Sequence, residues 1–279
     1  MIDHRQFAAS LDVFEKLYQP VSIAQVLAHL AGRGSLPDRA ALITFDDGWI
    51  DTLTVAAPEL KRRGLPSIVF IPPCIFEERH CFWQERLVHA VNSGKVTLGQ
   101  LREIVETLLD GNTGREAVLR QAIACMTEIS PARRDAILDP LMGDIEEDVQ
   151  HFVSASDLSQ LVQDGMAIGA HGFSHDALTT VGDPSAQMRD SRARLKQLTG
   201  TDVVAMSFPQ GRYTPAIAAQ AFDAGFRAVF TSDVIVNHLP PIGVGRALLG
   251  RIGIYPDQSS RGEMADVLVN RPLRALALP

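Results

Sequence analysis

Short apolar runs alternate with helix-period patterns along most of the chain. The strand candidates are RAALITF, LPSIVFI, MAIGA, VVAMSF, RAVFTS and GRIGI. LPSIVFI is fully apolar, the kind of run that parallel sheets bury on both faces. After the first of them, Thr52 to Arg63 shows helical spacing that stops at Gly64. This alternation predicts an α/β protein with parallel strands and helical crossovers.

Helix start signals support the same interpretation. Residues 5–17 carry apolar positions at helical spacing, and Ser22 with Gln25 forms a capping-box pattern for the next helix. Two later helices begin with a capping side chain followed by proline, at Asp183 and at Thr214. The pattern therefore predicts where several crossovers begin.

Residues from about 82 to 147 follow a different pattern. They read almost entirely as helix (WQERLVHAV, LGQLREIVETLL, REAVLRQAIACM, RRDAILDPLM) and contain no strand candidate. We interpret this stretch as an all-helical insertion within a single domain that spans 1–279.

Composition narrows the classes of partner. The chain has 279 residues, 46% of them hydrophobic, a formal net charge of -7 and a pI of about 5.6. This charge argues against nucleic acid and anionic membrane surfaces as partners. Three cysteines without a CxxC pair suit a reducing compartment. Because no long apolar run or secretion-type segment occurs, we expect a cytoplasmic protein without membrane insertion. The sequence leaves the oligomeric state open.

Three polar clusters follow strand candidates. Asp46-Asp47-Gly48 ends RAALITF, His171 to His175 follows MAIGA, and Pro209-Gln210-Gly211 follows VVAMSF. If the strands close into a barrel, these clusters meet on one face. Adjacent carboxylates repel each other, so a metal ion or an arginine is expected beside them.

Two imidazoles and one carboxylate complete a three-ligand metal site with a position open for water. Taken singly, Asp-Asp-Gly is also typical of a plain turn, and two histidines four residues apart also occur as ordinary surface residues. Their combination after apolar strands favours a functional site.

These motifs resemble those of the polysaccharide deacetylases, the NodB-like carbohydrate esterases. The resemblance lies in TFDDG at Thr44–Gly48, H-x-x-x-H at His171–His175 and, more loosely, R-x-P-Y-G at Ser207–Gly211, and it covers roughly residues 7–254. It implies a distorted (β/α)7-type barrel with the helical insertion of members that act on exopolysaccharide or surface-glycan precursors. The implied activity is metal-dependent removal of acetyl groups from an N-acetylated sugar, with an acetylated glycan or sugar precursor as substrate.

Carried over by position, the resemblance implies that Asp46 is the general base. It implies that Asp47, His171 and His175 hold a divalent ion, with Zn²⁺ expected first and Co²⁺, Ni²⁺ or Fe²⁺ as alternatives. The backbone N–H of Gln210 would stabilise the oxyanion.

The chain departs from the family pattern at two points. Ser207 stands where many members have an arginine that orients the base, and Gln210 stands where they have tyrosine. Arg251, or else Arg246, is the predicted substitute, because the role needs only charge and geometry.

The second departure concerns the histidine that serves as general acid in the family, for which His4 and His238 are the nearest substitutes. Two alternatives stay open from the sequence. One is an O-acetyl esterase or small-amide hydrolase using the same site, because an ester's leaving group needs less protonation than an amine. The other is a catalytically inactive, glycan-binding or scaffold member of the family.

Overall fold

A computed structural model describes residues 4–77, 82–108, 115–142, 150–238, 243–254 and 273–274. Cys81 and the last predicted part of the insertion, 143–147, lie outside these ranges. None of the helices in the described ranges has the length and apolarity needed to cross a membrane.

Ten strands occur in the described residues. In chain order they are β1 Gln19–Pro20, β2 Ala40–Ala41, β3 Ile43–Asp46, β4 Ser67–Ile71, β5 Met166–Ala170, β6 Ala205–Ser207, β7 Ala228–Phe230, β8 Val236–Asn237, β9 Ala247–Leu249 and β10 Leu273–Arg274. Six of them form one parallel sheet in the order β3-β4-β5-β6-β7-β9, while β1 pairs with β2 and β8 with β10.

Eleven α-helices occur in the same residues. They are α1 His4–Leu17, α2 Ile23–Leu30, α3 Ala57–Arg63, α4 Cys74–Glu77, α5 Trp83–Asn92, α6 Leu98–Leu108, α7 Arg115–Thr127, α8 Pro131–Met142, α9 Asp157–Gln163, α10 Pro184–Thr199 and α11 Pro215–Asp223. Helices lie between the consecutive strands of the main sheet from β3 to β7, which confirms the α/β prediction.

Local signals in the sequence account for the helix ends. The Ser22 side chain accepts from the N–H of Gln25 while Gln25 reaches back to the Ser22 N–H, which confirms the capping box. Asp183 and Thr214 cap α10 and α11 as predicted. The segment predicted as one helix from Thr52 begins instead as a π-helical turn, Thr52–Ala56, and continues as α3.

The main sheet curls strongly. Six flat strands about 4.8 Å apart would separate β3 from β9 by about 24 Å. Yet Arg251, just after β9, donates to Asp46 at the end of β3 over 2.8 Å, and the rings of Phe70 on β4 and Phe230 on β7 lie 5.1 Å apart. The two edges of the sheet therefore approach each other as in a half-barrel.

Alternation along β4 divides the core in two. Ile68 and Phe70 pack inside the curled sheet with Phe230 and with residues of α2. Val69 and Ile71 face the other way and pack under the outer helices. All four side chains are fully buried, and burying each contributes about 1.5–3 kcal/mol relative to exposure. The continuous apolar run LPSIVFI thus reflects a strand covered on both faces.

The helical insertion has a hydrophobic core of its own. Residues of α5, α6, α7 and α8 share one buried cluster, which includes Trp83, Leu87, Leu101 and Met126. The predicted all-helical character of this stretch holds over its described residues, and the extent of the domain stays a prediction.

One predicted strand is wrong. The last strand of the main sheet is β9, Ala247–Leu249, whereas GRIGI, which begins at Gly250, follows it as irregular chain. The side-chain amide of Asn237 bonds both the N–H and the carbonyl of Gly250, each over 2.8 Å, in place of a neighbouring strand. Arg251 consequently stands just beyond a strand end, on the face where the other polar clusters lie.

Candidate metal and catalytic site

The three polar clusters lie at the carboxyl ends of adjacent or nearly adjacent strands. Asp46 ends β3, His171 follows β5, and Pro209 follows β6 by two residues. Each cluster contains a non-glycine residue with positive φ: Asp47 at 74°, His175 at 63° and Gln210 at 57°. Such backbone conformations are uncommon for side-chain-bearing residues and concentrate at functional sites.

Asp47, His171 and His175 converge. Their ligand atoms all lie within 4.8 Å of one another, and Oδ1 of Asp47 is 3.3 Å from Nε2 of His171 and 3.1 Å from Nε2 of His175. The His171 side chain is only 2% exposed and that of Asp47 25%, so one side of the cluster faces solvent. This is the donor set that the sequence predicts for a divalent ion.

Neighbouring groups orient two of these side chains. Nδ1 of His171 lies 2.9 Å from the carbonyl oxygen of Ser207, which requires the proton on Nδ1 and leaves Nε2 free to bind an ion. The indole N–H of Trp49 donates to Oδ2 of Asp47 over 3.0 Å, so Oδ1 is the oxygen turned toward the histidines.

The electrostatics of the cluster favour a positive charge between its members. Burial by itself raises the pKa of Asp47, but hydrogen bonds and charge from His171 and His175 lower it well below its usual range. Burial by itself lowers the pKa of His171, and the carboxylates of Asp46 and Asp47 outweigh this and raise it. Protein groups alone thus keep Asp47 ionised.

Asp46 has a different partner, Arg251. Arg251 binds it with two parallel hydrogen bonds of 2.8 Å, from Nη1 to Oδ1 and from Nη2 to Oδ2, and Nη2 also donates to Oγ of Ser207 over 2.9 Å. Bidentate pairs of this kind fix both distance and orientation. Arg251 therefore reaches the carboxylate that the sequence analysis named, and the small Ser207 side chain lies directly against its guanidinium.

Arg246, the other arginine considered for this role, lies elsewhere, with its guanidinium over the Phe222 ring at 4.8 Å. His4, at the start of α1, and His238, just after β8, are both exposed. The side chain of Gln210 donates to the carbonyl of His175 over 3.4 Å. Its backbone N–H belongs to the first turn of a 3-10 helix, Pro209–Gly211, where N–H groups lack intrahelical acceptors. Its oxyanion role stays a prediction.

Sequence reasoning misses two residues that hold Arg251. The Thr231 carbonyl accepts from Nε of Arg251 over 3.1 Å, and the Asp233 carbonyl accepts from its backbone N–H over 2.9 Å. The Asp233 side chain in turn accepts from Tyr213, and burial together with this bond raises the pKa of Tyr213 to about 12. These residues follow β7 as the other clusters follow their strands, so the same positional signal was present in RAVFTSD.

An aromatic wall lines one side of the metal cluster. The Phe82 ring stacks on the His175 ring with centroids 3.9 Å apart and an interplanar angle of 13°. Phe152 packs against both Phe82 and Trp49 with centroid distances of 4.6 Å. The segment Gly48–Ile50 is bridged to the segment His151–Val153, which places Phe152 beside the site.

Comparison with solved structures agrees with the fold. The chain is similar to the Streptococcus pyogenes deacetylase PplD in complex with acetate, at 17% identity and a TM-score of 0.59, covering 95% of this chain and 87% of that one. IcaB from Ammonifex degensii is 20% identical with a TM-score of 0.58, and the alignment covers 95% of this chain and 89% of that one. The deacetylase domain of BpsB from Bordetella bronchiseptica is 17% identical with a TM-score of 0.54, and the alignment covers 86% of this chain and 83% of that one.

These likenesses confirm the predicted fold class. A search of curated proteins finds no match by sequence. The family model described as polysaccharide deacetylase matches residues 141–229, which hold the HxxxH motif and the Ser207–Gly211 motif. Over these residues, and in the motifs quoted above, the chain is similar to the polysaccharide deacetylase family.

Proposed function

We propose that the chain is a metal-dependent hydrolase that removes acetyl groups from N-acetylated sugars of a polysaccharide or surface-glycan precursor. The match of residues 141–229 to the polysaccharide deacetylase family model supports the reaction class. Two of the structurally similar proteins carry the word deacetylase in their descriptions, and one of these was determined with acetate, the expected product.

The proposal depends on the observation that the two adjacent carboxylates, Asp46 and Asp47, have different partners. Asp47 faces the two histidines, with Oδ1 within 3.3 Å of both Nε2 atoms, while Asp46 is bound by Arg251. A hydrolase of this kind needs one carboxylate to hold an ion and another, not consumed as a ligand, to move a proton. In this chain, the backbone turn at Asp47 and the pairing of Asp46 with Arg251 direct the two carboxylates to different partners.

The residues present fit a divalent ion. One carboxylate oxygen and two imidazole Nε2 atoms within 4.8 Å match the open three-ligand set of catalytic zinc sites. The Ser207 carbonyl sets the required tautomer of His171. Two nitrogens and one oxygen suit zinc, cobalt, nickel and iron alike, and zinc is the proposed ion. When bound, it would polarise the acetyl carbonyl and lower the pKa of water.

The chain's own residues account for proton movement. Asp46, held by Arg251, takes a proton from the attacking water as the water oxygen bonds to the acetyl carbon. The N–H of Gln210 is the proposed donor to the oxyanion of the tetrahedral intermediate. The carbon–nitrogen bond then breaks, the proton held on Asp46 passes to the leaving nitrogen, and acetate and a free amine result.

The proposal is tested by acetate release from N-acetylglucosamine oligomers, with and without a chelator. Wild-type protein should release acetate, and the chelator should stop it until zinc is restored. Asp46→Asn should abolish turnover and keep the zinc content, whereas His171→Ala should lose both. No acetate from any acetylated glycan after zinc, cobalt or nickel is added would contradict the hydrolase proposal.

Acetylated xylan serves as the comparison substrate. Release from xylan alone would replace the N-deacetylase proposal by an O-acetyl esterase using the same groups. A full zinc complement in both His171→Ala and His175→Ala would instead contradict the ligand set.

A further inference from the structure

The helical insertion touches the candidate metal site directly. Phe82, which precedes α5, stacks on the ring of His175. Arg134 on α8 donates to the carboxylate of Asp176, the residue that follows His175. At a third point, Glu128 pairs with Arg212, which follows Gln210 and Gly211, but both of these side chains are largely exposed.

The two histidines of the site are held by different means. The Nδ1 of His171 has a backbone carbonyl as its partner. The Nδ1 of His175 is buried and has no hydrogen-bond partner among the described residues. Its ring orientation therefore depends on the Phe82 stack and on the backbone, which has the unfavourable φ of 63°. Such a conformation persists only where the surroundings over-determine it.

Both neighbours of His175 are anchored. On one side, Oε1 of Gln187 on α10 accepts from the N–H groups of Phe173 and Ser174, each over 3.0 Å. On the other side, one oxygen of Asp176 accepts from Arg134 and the other accepts from Oγ of Ser174 over 2.7 Å. The anchor after His175 thus combines Arg134 of the insertion with the neighbouring Ser174.

The Arg134 anchor is buried. Arg134 and Asp176 are each only 7% exposed, and the guanidinium also lies over the Trp83 ring, 5.0 Å from its centroid. A second carboxylate, Asp135, binds the same guanidinium from a more exposed position. Removing one member of a buried ion pair leaves the other charge uncompensated, which is strongly unfavourable. Asp176 would then move toward water and shift its neighbour His175.

We propose that Arg134 is a positioning residue for the metal site: through Asp176, the helical insertion holds His175 in the orientation that binds the ion. This inference rests on the proposed function, because it concerns the same metal. It assigns the insertion a role in building the site in addition to any contact with substrate.

The test is a zinc titration of the full chain, using the metal alone as probe. Arg134→Met should weaken zinc affinity about tenfold to a hundredfold, as losses of groups that support ligands do. It should also change the visible absorption of the cobalt-substituted protein, because one ligand is displaced. Arg134→Lys, which keeps the charge, should recover part of the affinity.

Arg86→Met is the matched control. Arg86 pairs with Asp139 within the same insertion over 3.1 Å, and the Asp139 side chain is 54% exposed. Its loss should change zinc affinity less than twofold and leave the cobalt spectrum unaltered. Thermal unfolding of the metal-free proteins separates a general loss of stability from an effect on the site.

The outcomes separate the two proposals. If wild type binds zinc and folded Arg134→Met binds it equally well with the same cobalt spectrum, the positioning role is wrong and the hydrolase proposal stands. If Arg134→Met fails to fold, the isosteric variant Asp176→Asn is judged by the same criterion. If wild type binds neither zinc nor cobalt, the metal-dependent function fails and the positioning role with it.

Discussion

At the scale of single residues, two adjacent aspartates take different partners because the backbone turns between them. Asp46 is the last residue of a strand, whereas Asp47 has a φ of 74°, so their carboxylates point to different partners. The sequence placed both at a strand end, but nothing in the letters DDG says which carboxylate meets the histidines. The family resemblance assigns these roles, and the contacts of each carboxylate agree with that assignment.

Loss of Arg251 should impair turnover more than metal binding. Two charge-assisted hydrogen bonds to Asp46 are removed in Arg251→Met, each worth about 1.5–3 kcal/mol. We expect kcat to fall about a hundredfold, since each 1.4 kcal/mol is a factor of ten, with KM and zinc affinity little changed. Steady-state acetate release and zinc titration measure these effects.

Arg246→Met provides the control for that experiment. This arginine packs on Phe222 instead of on the site, so its loss should leave kcat within about twofold of wild type. Equal activities of wild type and Arg251→Met would show that Asp46 needs no orienting cation.

Trp49 is expected to influence zinc affinity through Asp47. Trp49→Phe keeps an aromatic ring beside Phe152 but removes the N–H that binds Oδ2 of Asp47 over 3.0 Å. Losses of such supporting bonds typically cost about tenfold or more in metal affinity. Calorimetric titration with zinc measures the change, and an unaltered dissociation constant would assign Trp49 to packing alone.

At the scale of secondary-structure elements, the sequence predicts well wherever the signal is local. The capping box of Ser22 and the proline-marked starts of α10 and α11 depend on neighbouring residues, and all three appear as predicted. The strand prediction for GRIGI is wrong because the hydrogen-bond partner of Gly250 is distant in sequence. The side-chain amide of Asn237 makes hydrogen bonds with both the N–H and the carbonyl of Gly250. Apolar composition alone does not reveal such a competitor.

The same distinction holds for the site. Asp47, His171 and His175 could be grouped from the sequence because each follows a recognisable strand. Arg134 and Asp176 could not, because an arginine within a helix-period pattern is typical of an exposed face. Their burial depends on how the insertion packs on the barrel, which no local pattern encodes.

Gly250 should not tolerate a side chain. A Cβ there would lie 2.3 Å from Cγ1 of Ile235 and 2.5 Å from the backbone oxygen of Asp233. Because the oxygen belongs to backbone, Gly250→Ala should destabilise the fold by about 1–3 kcal/mol and also displace the adjacent Arg251. The free energy of unfolding, measured in urea, and kcat should therefore both fall.

Gly182→Ala is the matched substitution, since no atom of the described residues, apart from its chain neighbours, lies within 4 Å of its Cβ position. It should leave the free energy of unfolding unchanged or raise it by up to about 1 kcal/mol. If the two alanine variants proved equally stable, the close approach at Gly250 would not be a constraint on the fold.

At the scale of the whole molecule, an ion-pair network joins the first helix to the barrel. Arg63 on α3 binds Asp12 and Glu15 of α1, and Arg62 and Arg63 both bind Glu59. Hydrogen bonds from Arg62 and then Arg63 lower the pKa of Glu59 from its ordinary 4.5 to about 2. Global stability should therefore carry a contribution that depends on pH.

The direction of this pH dependence follows from which state, folded or unfolded, binds the proton of Glu59 more tightly. The unfolded chain binds a proton at Glu59 near pH 4.5 and the folded chain only near pH 2. The stabilisation from this carboxylate is thus complete above about pH 4.5 and is lost as pH falls toward 2. Glu59→Gln, which is neutral at every pH, should be less stable than wild type at pH 6, and the difference should shrink through this window. Urea unfolding at several pH values measures it, and a difference that stayed constant down to pH 2 would mean that the carboxylate's charge contributes nothing to the junction between α1 and α3.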